Sequence, residues 1–193
     1  MDAINIFCGI VLFVSMASNL TGAKKGLKSS ISQHKEKPKS YLQKYPVNIS
    51  AVILVIIIVG IFNIGTVKLD VKYDVYRLIG LIMFAISSYM QVFSYKTLGE
   101  NYSQEVVILK NHKLITSKVY KLVRHPQYFF QIISDLCVGI ALVSYIVVPL
   151  VLLVELPLFI LRAKLEEKLL LKHFGNEYVL YKSKSGFFVP FIG

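Results

Sequence analysis

Long apolar runs decide what this chain can fold into, because each is long enough to cross a lipid bilayer as a helix. The hydrocarbon core of a bilayer is about 30 Å thick and needs roughly 20 helical residues. Three such runs cover residues 3–20, 47–67 and 75–95. A fourth, residues 126–161, contains only two charges and is long enough for a helical hairpin that turns near residues 143–149. The sequence therefore predicts an all-α fold with five transmembrane helices.

The composition indicates a membrane protein and excludes several other classes. Of 193 residues, 55% are hydrophobic and 17% are charged, and the mean hydropathy is +0.60. A soluble domain of this size has too little interior to bury so much apolar side chain. The content of 11 Gly, 6 Pro and 2 Cys is too low for a collagen-like, disordered or disulfide-rich protein. Cys8 and Cys137 both lie in apolar runs, where we interpret them as small hydrophobic residues.

Basic residues are distributed asymmetrically between the predicted helices. The chain has 22 Lys and Arg against 11 Asp and Glu, and all but three of these basic residues fall in segments 24–44, 96–124 and 162–184. The positive-inside rule places these segments in the cytoplasm, with the N-terminus outside. No Lys or Arg precedes the first apolar run, which argues against a cleaved signal peptide. Such a basic excess is more typical of loops that face anionic lipid than of nucleic-acid binding.

The polar segment before the hairpin ends in an unusual helix start. Pro126 suits the first helical turn, where its missing N–H costs nothing, and His125 would occupy the cap position. The start of a helix offers unpaired N–H groups and a positive dipole end, and can therefore bind an anionic group. Arg124 would add donors beside it. By itself, this arrangement is more typical of an interfacial anchor.

A second polar cluster follows the predicted fifth helix. Arg162 and Glu166 are four residues apart and share a helix face, whereas Glu167 lies about 100° further round. Arg162 and Glu166 fit either a surface ion pair worth under about 1 kcal/mol or a functional pair. Gly175 is a predicted helix stop.

Two acidic residues lie inside the predicted hairpin. Asp135 and Glu155 are costly in a bilayer, so they either serve function or satisfy polar partners between helices. The chain contains no CxxC, HExxH, GxSxG, Walker or GxGxxG pattern. Metal, serine-hydrolase and nucleotide-phosphate chemistries therefore lack a motif.

Four motifs in the C-terminal half resemble the isoprenylcysteine carboxyl methyltransferase family. They are H-x-L-I-T-S-x-V-Y at residues 112–120, R-H-P-x-Y at 124–128, R-x-x-x-E-E at 162–167 and F-G-x-E-Y-x-x-Y at 174–181. The resemblance covers residues 98–190. Phospholipid methyltransferases and the C-terminal part of sterol reductases share the R-H-P-x-Y helix start, so the motifs specify the superfamily better than the substrate.

The resemblance implies S-adenosylmethionine as cofactor, in a cytoplasmic pocket formed by the loop after the third helix, the start of the fourth and the C-terminal tail. Residues 1–95 would form three N-terminal helices, and residues 96–193 the catalytic half of one membrane domain. Arg162 would bind the substrate carboxylate and act in catalysis with Glu166. Lys118 stands where the family often has Gly. The implied cofactor contacts are Gln104, His112, Lys113, Leu114, Ile115, Tyr120, His125, Pro126, Gln127, Tyr128, Glu166 and Glu167.

The implied reaction is methyl esterification of the α-carboxylate of a C-terminal prenylcysteine, or of a small prenylcysteine-like lipid, at the membrane. A carboxylate is already a nucleophile at neutral pH, so the reaction needs positioning rather than a general base. The alternatives are a phospholipid amine N-methyltransferase, a nicotinamide-dependent lipid reductase, for which 193 residues leave little room, and a non-enzymatic membrane scaffold. We expect membrane lipid as a partner but neither metal nor nucleic acid, and the oligomeric state stays open.

Overall fold

Helices make up most of the structure, a computed structural model that describes residues 2–32, 34–190 and 192–193, without side chains for residues 20–34. A turn of π-helix, Val151–Glu155, joins two of the helices, so that residues 147–174 form one continuous helical segment. The α-helices of the described part are α1 (Ala3–Ser32), α2 (Tyr45–Ile61), α3 (Asp74–Leu98), α4 (Pro126–Ala141), α5 (Val147–Leu150), α6 (Leu156–Phe174) and α7 (Asn176–Lys182).

Each predicted apolar span contains a helix, with three differences in the boundaries. Helix α2 ends at Ile61, so the last six residues of the predicted span 47–67 are not helical. Helix α1 continues to Ser32, so Lys24, Lys25 and Lys28 lie on a helix rather than in a loop. Their side chains are outside the described residues. The hairpin turns at residues 142–146, slightly earlier than predicted. Pro149 is therefore in the first turn of α5, where a residue without an N–H is tolerated.

The outer surface of the helices is strongly apolar. Two helical stretches of the described chain, Tyr41–Ile61 and Val71–Asn101, are long and apolar enough by themselves to cross a membrane. The apolar part of α1, Ala3–Asn19, is shorter. Phe13 and Leu153 are 73% and 75% exposed. A surface of this kind is suited to contact with hydrocarbon rather than water.

A small β-sheet modifies the all-α prediction. Strands β1 (His34–Glu36) and β2 (Ile108–Leu109) pair in antiparallel fashion. Nearby, the Gln43 side-chain amide forms two hydrogen bonds with the Val106 backbone, as a neighbouring strand would. Its Nε2 donates to the Val106 carbonyl at 2.8 Å, and its Oε1 accepts from the Val106 N–H at 2.9 Å. These bonds attach the long loop before α4 to the segment that precedes α2.

The closest helix contact in the bundle is between α3 and α4. A Cβ atom at Gly80 would lie 2.9 Å from both the Ala141 nitrogen and the Cys137 carbonyl oxygen, so only glycine permits this approach. Cys8 is fully buried, and both cysteines are free, in keeping with their interpretation as small hydrophobic residues. The centre of the core is formed by Ile53, Ile57, Phe84, Val138, Val147 and Val151.

Arg77 is buried at the start of α3. Its Nη1 is 2.6 Å from Asp2 Oδ2, its Nε donates to the Ala141 carbonyl at 3.0 Å, and its Nη2 donates to Asn5 Oδ1 at 2.9 Å. Asn5 in turn donates to the Ile61 carbonyl at 2.9 Å. The hydrogen bond from Arg77 holds the pKa of Asp2 below its usual range. This network ties together the ends of α1, α2, α3 and α4.

Candidate active site

A cavity of about 80 Å³, which we name the surface cavity, lies between the loop after α3, the start of α4 and helices α6 and α7. Nine residues predicted to contact a cofactor line it: His112, Lys113, Leu114, Ile115, Tyr120, His125, Gln127, Tyr128 and Glu166. The folding of the chain thus brings together lining residues that are up to 83 positions apart in the sequence, from Leu98 to Tyr181.

His125 caps α4, which begins at Pro126 as predicted. Its ring is parallel to that of Tyr128, with centroids 5.7 Å apart. His125 Nδ1 is 3.7 Å from Glu166 Oε2, and its Nε2 is 3.6 Å from Glu167 Oε1. Nε2 is buried and has no hydrogen-bond partner within the described part of the chain. A buried polar atom in this state is suited to a ligand or an ordered water.

The adjacent carboxylates of α6 have different surroundings. Glu166 lines the surface cavity, and its side chain is 32% exposed. Glu167 does not line this cavity, because its carboxylate binds Arg124 Nε at 2.5 Å and Lys182 Nζ at 2.9 Å. Burial alone would raise the pKa of Glu167, but the neighbouring His125, Lys182 and Arg124 hold it well below its usual range. The position of Glu167 favours a structural role over the predicted cofactor contact.

Arg124 holds the C-terminal segment in place. Besides Glu167, its guanidinium donates to the carbonyl oxygens of Lys182 at 3.3 Å, Gly193 at 3.0 Å and Ser185. Four of its five N–H groups are therefore used within the protein. Arg124 also lines the surface cavity, so its role as an anion donor beside the helix start stays a prediction.

Arg162 is 2% exposed, so its interpretation as part of a surface ion pair is wrong. Its Nη1 donates to the carbonyl oxygens of Leu42 at 2.8 Å and Gln43 at 3.0 Å, and its Nε donates to Tyr128 Oη at 3.1 Å. Its Nη2 donates to the carbonyl oxygen of Gln104. Within the described residues its hydrogen-bond partners are thus Tyr128 and three backbone carbonyls, rather than Glu166.

A second cavity, of about 340 Å³, extends between α1, α2, α3, α4 and α6. We name it the membrane cavity. Arg162 and Gln104 line it and do not line the surface cavity. The two cavities share Tyr102, Ser103, Gln127 and Tyr128. The predicted substrate residue and most of the predicted cofactor residues therefore line separate cavities that meet at the first turn of α4.

Lys118 and Pro126 shape the backbone near the surface cavity without lining it. Lys118 has φ +54°, a left-handed conformation that glycine adopts most easily. Lys118 therefore has a left-handed backbone at the position where glycine is expected. Pro126 contributes the first turn of α4.

Tyr178 and Tyr181 of the F-G-x-E-Y-x-x-Y motif line the surface cavity, although neither was predicted as a site residue. Tyr181 Oη donates to the Tyr120 carbonyl at 2.7 Å. Tyr178 Oη is buried and lacks a hydrogen-bond partner among the residues that the structure describes. Burial raises the pKa of both phenols, so they are neutral donors at physiological pH. The signal that could have identified them is their place in the F-G-x-E-Y-x-x-Y motif at residues 174–181.

His112 also lines the surface cavity. Burial lowers the pKa of this imidazole, although the nearby Glu166 carboxylate partly opposes the effect. Its Nδ1 accepts a hydrogen bond from the Leu109 N–H at 3.4 Å. His112 is therefore a neutral ring at physiological pH, with its Nδ1 turned to the backbone of the loop.

The apolar outer surface and the pair of meeting cavities define an integral membrane protein with a site between its long loop and its last helices. Residues 78–172 match the model of the isoprenylcysteine carboxyl methyltransferase (ICMT) family. This match, over 95 of the 193 residues, supports the family resemblance stated from the motifs.

Individual relatives agree with the family match. Protein-S-isoprenylcysteine O-methyltransferases of Saccharomyces cerevisiae, Tribolium castaneum and Xenopus laevis are 28%, 30% and 34% identical over 116, 116 and 122 residues, or 59% of this chain in each case. The chain spans only 48%, 41% and 40% of these relatives. The solved structure of a eukaryotic intramembrane Ras methyltransferase, ICMT, superposes with a TM-score of 0.65 and 24% identity over 100% of this chain and 69% of that one. The last comparison shows a shared fold.

Proposed function

We propose that this chain transfers a methyl group from S-adenosylmethionine to the α-carboxylate of a prenylcysteine lipid at the membrane. The observation that carries the proposal is the junction of the two cavities at Gln127 and Tyr128. A water-soluble cofactor would bind in the surface cavity and a lipid acceptor in the membrane cavity. The named activity of the relatives, protein-S-isoprenylcysteine O-methylation, is consistent with this division.

The residues of the surface cavity suit the chemistry of S-adenosylmethionine. Glu166 offers a carboxylate for ribose hydroxyls or the ammonium group, and its charge favours the sulfonium. Tyr178 Oη, buried without a hydrogen-bond partner in the described structure, offers an additional hydrogen bond. The cavity volume of about 80 Å³ is below the roughly 300–1,000 Å³ of most ligand sites, so a cofactor of this size would also need space beyond this volume.

Arg162 and Tyr128 would position the acceptor carboxylate. The Arg162 guanidinium has five N–H groups, of which four are used for the Tyr128 hydroxyl and three carbonyls. One N–H and the positive charge therefore remain for the acceptor, so Arg162 would bind the carboxylate through a single hydrogen bond rather than a bidentate pair. A single charge-assisted bond orients the carboxylate while leaving electron density on the oxygen that attacks. The bound cofactor supplies an electrophilic methyl group, and the protein supplies proximity and alignment.

The same proposal includes a membrane topology. We place α1, α2, α3 and the α4 to α6 hairpin across the bilayer as five spans, with the surface cavity on the cytoplasmic side. The charge asymmetry of the loops supports this orientation. The Arg77 network would then lie near the outer surface, at the end of the bundle where α4 finishes. Residues 96–193 would form the catalytic half of a single domain.

The first test is calorimetric titration of S-adenosylhomocysteine into the detergent-purified chain, followed by a methylation assay with N-acetyl-S-farnesyl-L-cysteine. We expect saturable binding and formation of a base-labile methyl ester. No binding by a folded sample would exclude methyl transfer from this cofactor. Binding without ester formation would keep the cofactor and exclude the acceptor.

The pH dependence separates this function from methylation of a phospholipid amine. An ammonium nucleophile must lose a proton, so the amine reaction would accelerate steeply as the pH rises towards the pKa of the amine. A carboxylate is ionised throughout the range from pH 6 to pH 9. We therefore expect an initial rate that changes little across this range with the prenylcysteine acceptor and no transfer to phosphatidylethanolamine vesicles.

A further inference from the structure

A third cavity, of about 570 Å³, lies between α6, α7 and the C-terminal segment. We name it the tail groove. Its volume falls within the roughly 300–1,000 Å³ of most ligand sites. Among the described residues, it shares Arg124 and Tyr178 with the surface cavity and none with the membrane cavity. The tail groove is therefore a separate feature, to which the proposed methyl transfer gives no role.

The charges that line the tail groove are mainly positive. Arg124, Lys164, Lys168 and Lys182 line it, against the acidic side chain of Glu167. Glu167 is already bound by Arg124 and Lys182. Lys164 and Lys168 are exposed and have no ion-pair partner within the part of the chain that the structure describes. Two ammonium groups are therefore available to an anion.

The rest of the lining is largely apolar. It is formed by Leu171, Phe187, Phe188, Val189 and Ile192. Leu171, Val189 and Ile192 are 47%, 45% and 64% exposed. The rings of Phe187 and Phe188 are stacked, with centroids 4.7 Å apart. Exposed apolar side chains beside two unpaired lysines are suited to a ligand that is both anionic and amphiphilic.

The tail groove adjoins the apolar outer surface of α6. Leu161, Lys164, Lys168 and Leu171 follow one another at intervals of three or four residues, so they share one face of the helix. Leu161 is 43% exposed. Lys164 and Lys168 follow it by about 4.5 and 10.5 Å along the helix axis. With α6 across the bilayer, Lys164 lies in the headgroup layer, and the long side chain of Lys168 can reach that layer.

We propose that the tail groove binds an anionic phospholipid, with the phosphate held by Lys164 and Lys168 and an acyl chain packed against Val189 and Ile192. The inference goes beyond the proposed methyl transfer and takes from it only the placement of α6 across the bilayer. A phospholipid satisfies both halves of the lining. An acidic peptide or a nucleic acid would pair with the lysines and leave the exposed apolar side chains in water. The bound lipid would hold the C-terminal segment against α6.

The chain contains no tryptophan, so a single introduced tryptophan reports on one site. Val189→Trp places this probe in the tail groove. Leu153→Trp places it on the apolar outer surface, where the side chain is 75% exposed. Each full-length variant is reconstituted in phosphatidylcholine vesicles that contain a small fraction of lipid with brominated acyl chains, either phosphatidylglycerol or phosphatidylcholine. Bromine quenches tryptophan fluorescence on contact, so the ratio of the two quenching efficiencies measures the selectivity for the anionic lipid.

We expect the probe of Val189→Trp to favour phosphatidylglycerol about tenfold, as two lysines at a membrane surface would produce. The probe of Leu153→Trp should favour neither lipid. Addition of Lys164→Gln and Lys168→Gln to the Val189→Trp chain should abolish the preference. Equal quenching by both lipids in Val189→Trp, or a preference that survives the loss of both lysines, would overturn the inference.

The matched control is the pair Lys121→Gln and Lys184→Gln in the same Val189→Trp chain. These two lysines are exposed and do not line the tail groove, so their substitution removes the same net charge from elsewhere on the surface. The preference for phosphatidylglycerol should be retained in this control. Its loss would show that the overall charge of the chain, rather than the tail groove, attracts the lipid.

Hexaglutamate is the competing probe for an acidic protein segment. We expect it to leave the quenching of Val189→Trp by brominated phosphatidylglycerol unchanged at equal ionic strength. If hexaglutamate alters the fluorescence and brominated phosphatidylglycerol does not quench it, the tail groove binds an acidic peptide and the lipid inference is wrong.

Binding of S-adenosylhomocysteine to the same variants distinguishes this inference from the proposed function. Lys164 and Lys168 line neither the surface cavity nor the membrane cavity, so their substitution should leave this affinity within a few-fold of that of the wild type. Lipid selectivity in a chain that does not bind S-adenosylhomocysteine would retain the tail groove and exclude the proposed methyl transfer. Binding of S-adenosylhomocysteine without lipid selectivity would retain the proposed function and exclude the lipid site.

Discussion

Glu166 and Glu167 are adjacent in the sequence, yet their carboxylates have separate surroundings. Glu166 lines the surface cavity and approaches His125 Nδ1 at 3.7 Å, whereas Glu167 binds Arg124 and Lys182 on the far side of the same ring. His125 therefore lies between a carboxylate available to a ligand and one that is used to hold the protein together. We therefore expect Glu166→Gln to weaken ligand binding and Glu167→Gln to destabilise the fold.

Glu166→Gln should weaken binding of S-adenosylhomocysteine about tenfold, because the variant loses one charged contact in the surface cavity. The unfolding midpoint should change little, since this side chain is partly exposed. Isothermal calorimetry and thermal denaturation of the same preparations measure both effects. Glu177→Gln, which removes an exposed charge on α7, is the matched control. Unchanged affinity in Glu166→Gln would remove Glu166 from the cofactor site.

Glu167→Gln should destabilise the fold by about 3 kcal/mol at pH 7, because Arg124 would lose its buried counter-charge. The depressed pKa of Glu167 determines the pH dependence. A carboxyl group with a lowered native pKa stabilises the fold above its ordinary pKa near 4.3, and the stabilisation is lost as the pH falls towards the native pKa. The difference in unfolding midpoint between wild type and Glu167→Gln should thus narrow below about pH 4. A difference that is independent of pH would contradict this role.

Arg162→Lys should lower the methylation rate at least about 100-fold, since an ammonium group cannot reproduce the planar set of bonds to Tyr128, Leu42, Gln43 and Gln104. The affinity for S-adenosylhomocysteine should stay within a few-fold of that of the wild type, because Arg162 lines the membrane cavity and not the surface cavity. Initial rates and calorimetry measure the two quantities. Lys164→Arg, a neighbouring basic residue outside both cavities, is the control. Normal turnover in Arg162→Lys would exclude its part in positioning the acceptor.

Arg77→Leu should destabilise the fold by about 3–5 kcal/mol, because Asp2 and Asn5 would lose their buried partner. Activity per folded molecule should be unchanged, since this network and the surface cavity lie at opposite ends of α4. Denaturation in detergent, with activity normalised to the folded fraction, tests both statements. The control is Lys72→Leu, which removes an exposed charge from the segment between α2 and α3. This substitution should change the free energy of unfolding little. A loss of specific activity in Arg77→Leu would show coupling between the two ends.

Much of the helical framework could be predicted from local patterns. Apolar length indicated each helix, Pro126 marked the start of α4 and Gly175 marked the end of α6, because these signals depend only on chemistry within a few residues. The predictions were least accurate where a long-range contact intervened. The sheet between β1 and β2 joins segments more than seventy residues apart and has no counterpart in the local pattern.

The roles of individual charged residues could be predicted less well. Arg124 and Arg162 belong to clear motifs, but the motifs do not reveal that one guanidinium holds the C-terminal segment and the other binds the carbonyls of two loops. Asp135 and Glu155 were recognised as costly, yet their proximity depends on how α4 packs against the helix that follows the hairpin.

The sequence by itself determined the membrane class, the helices and the family resemblance, since apolar length, capping residues and motif spacing are properties of neighbouring positions. Only the tertiary structure decided that Glu166 and Glu167 face different partners, that Arg162 lines a cavity apart from most of the cofactor candidates, and that Asp135 lines the same cavity as Arg162. The physical reason is that a side chain's partners are set by helix packing, which brings together residues from distant parts of the chain.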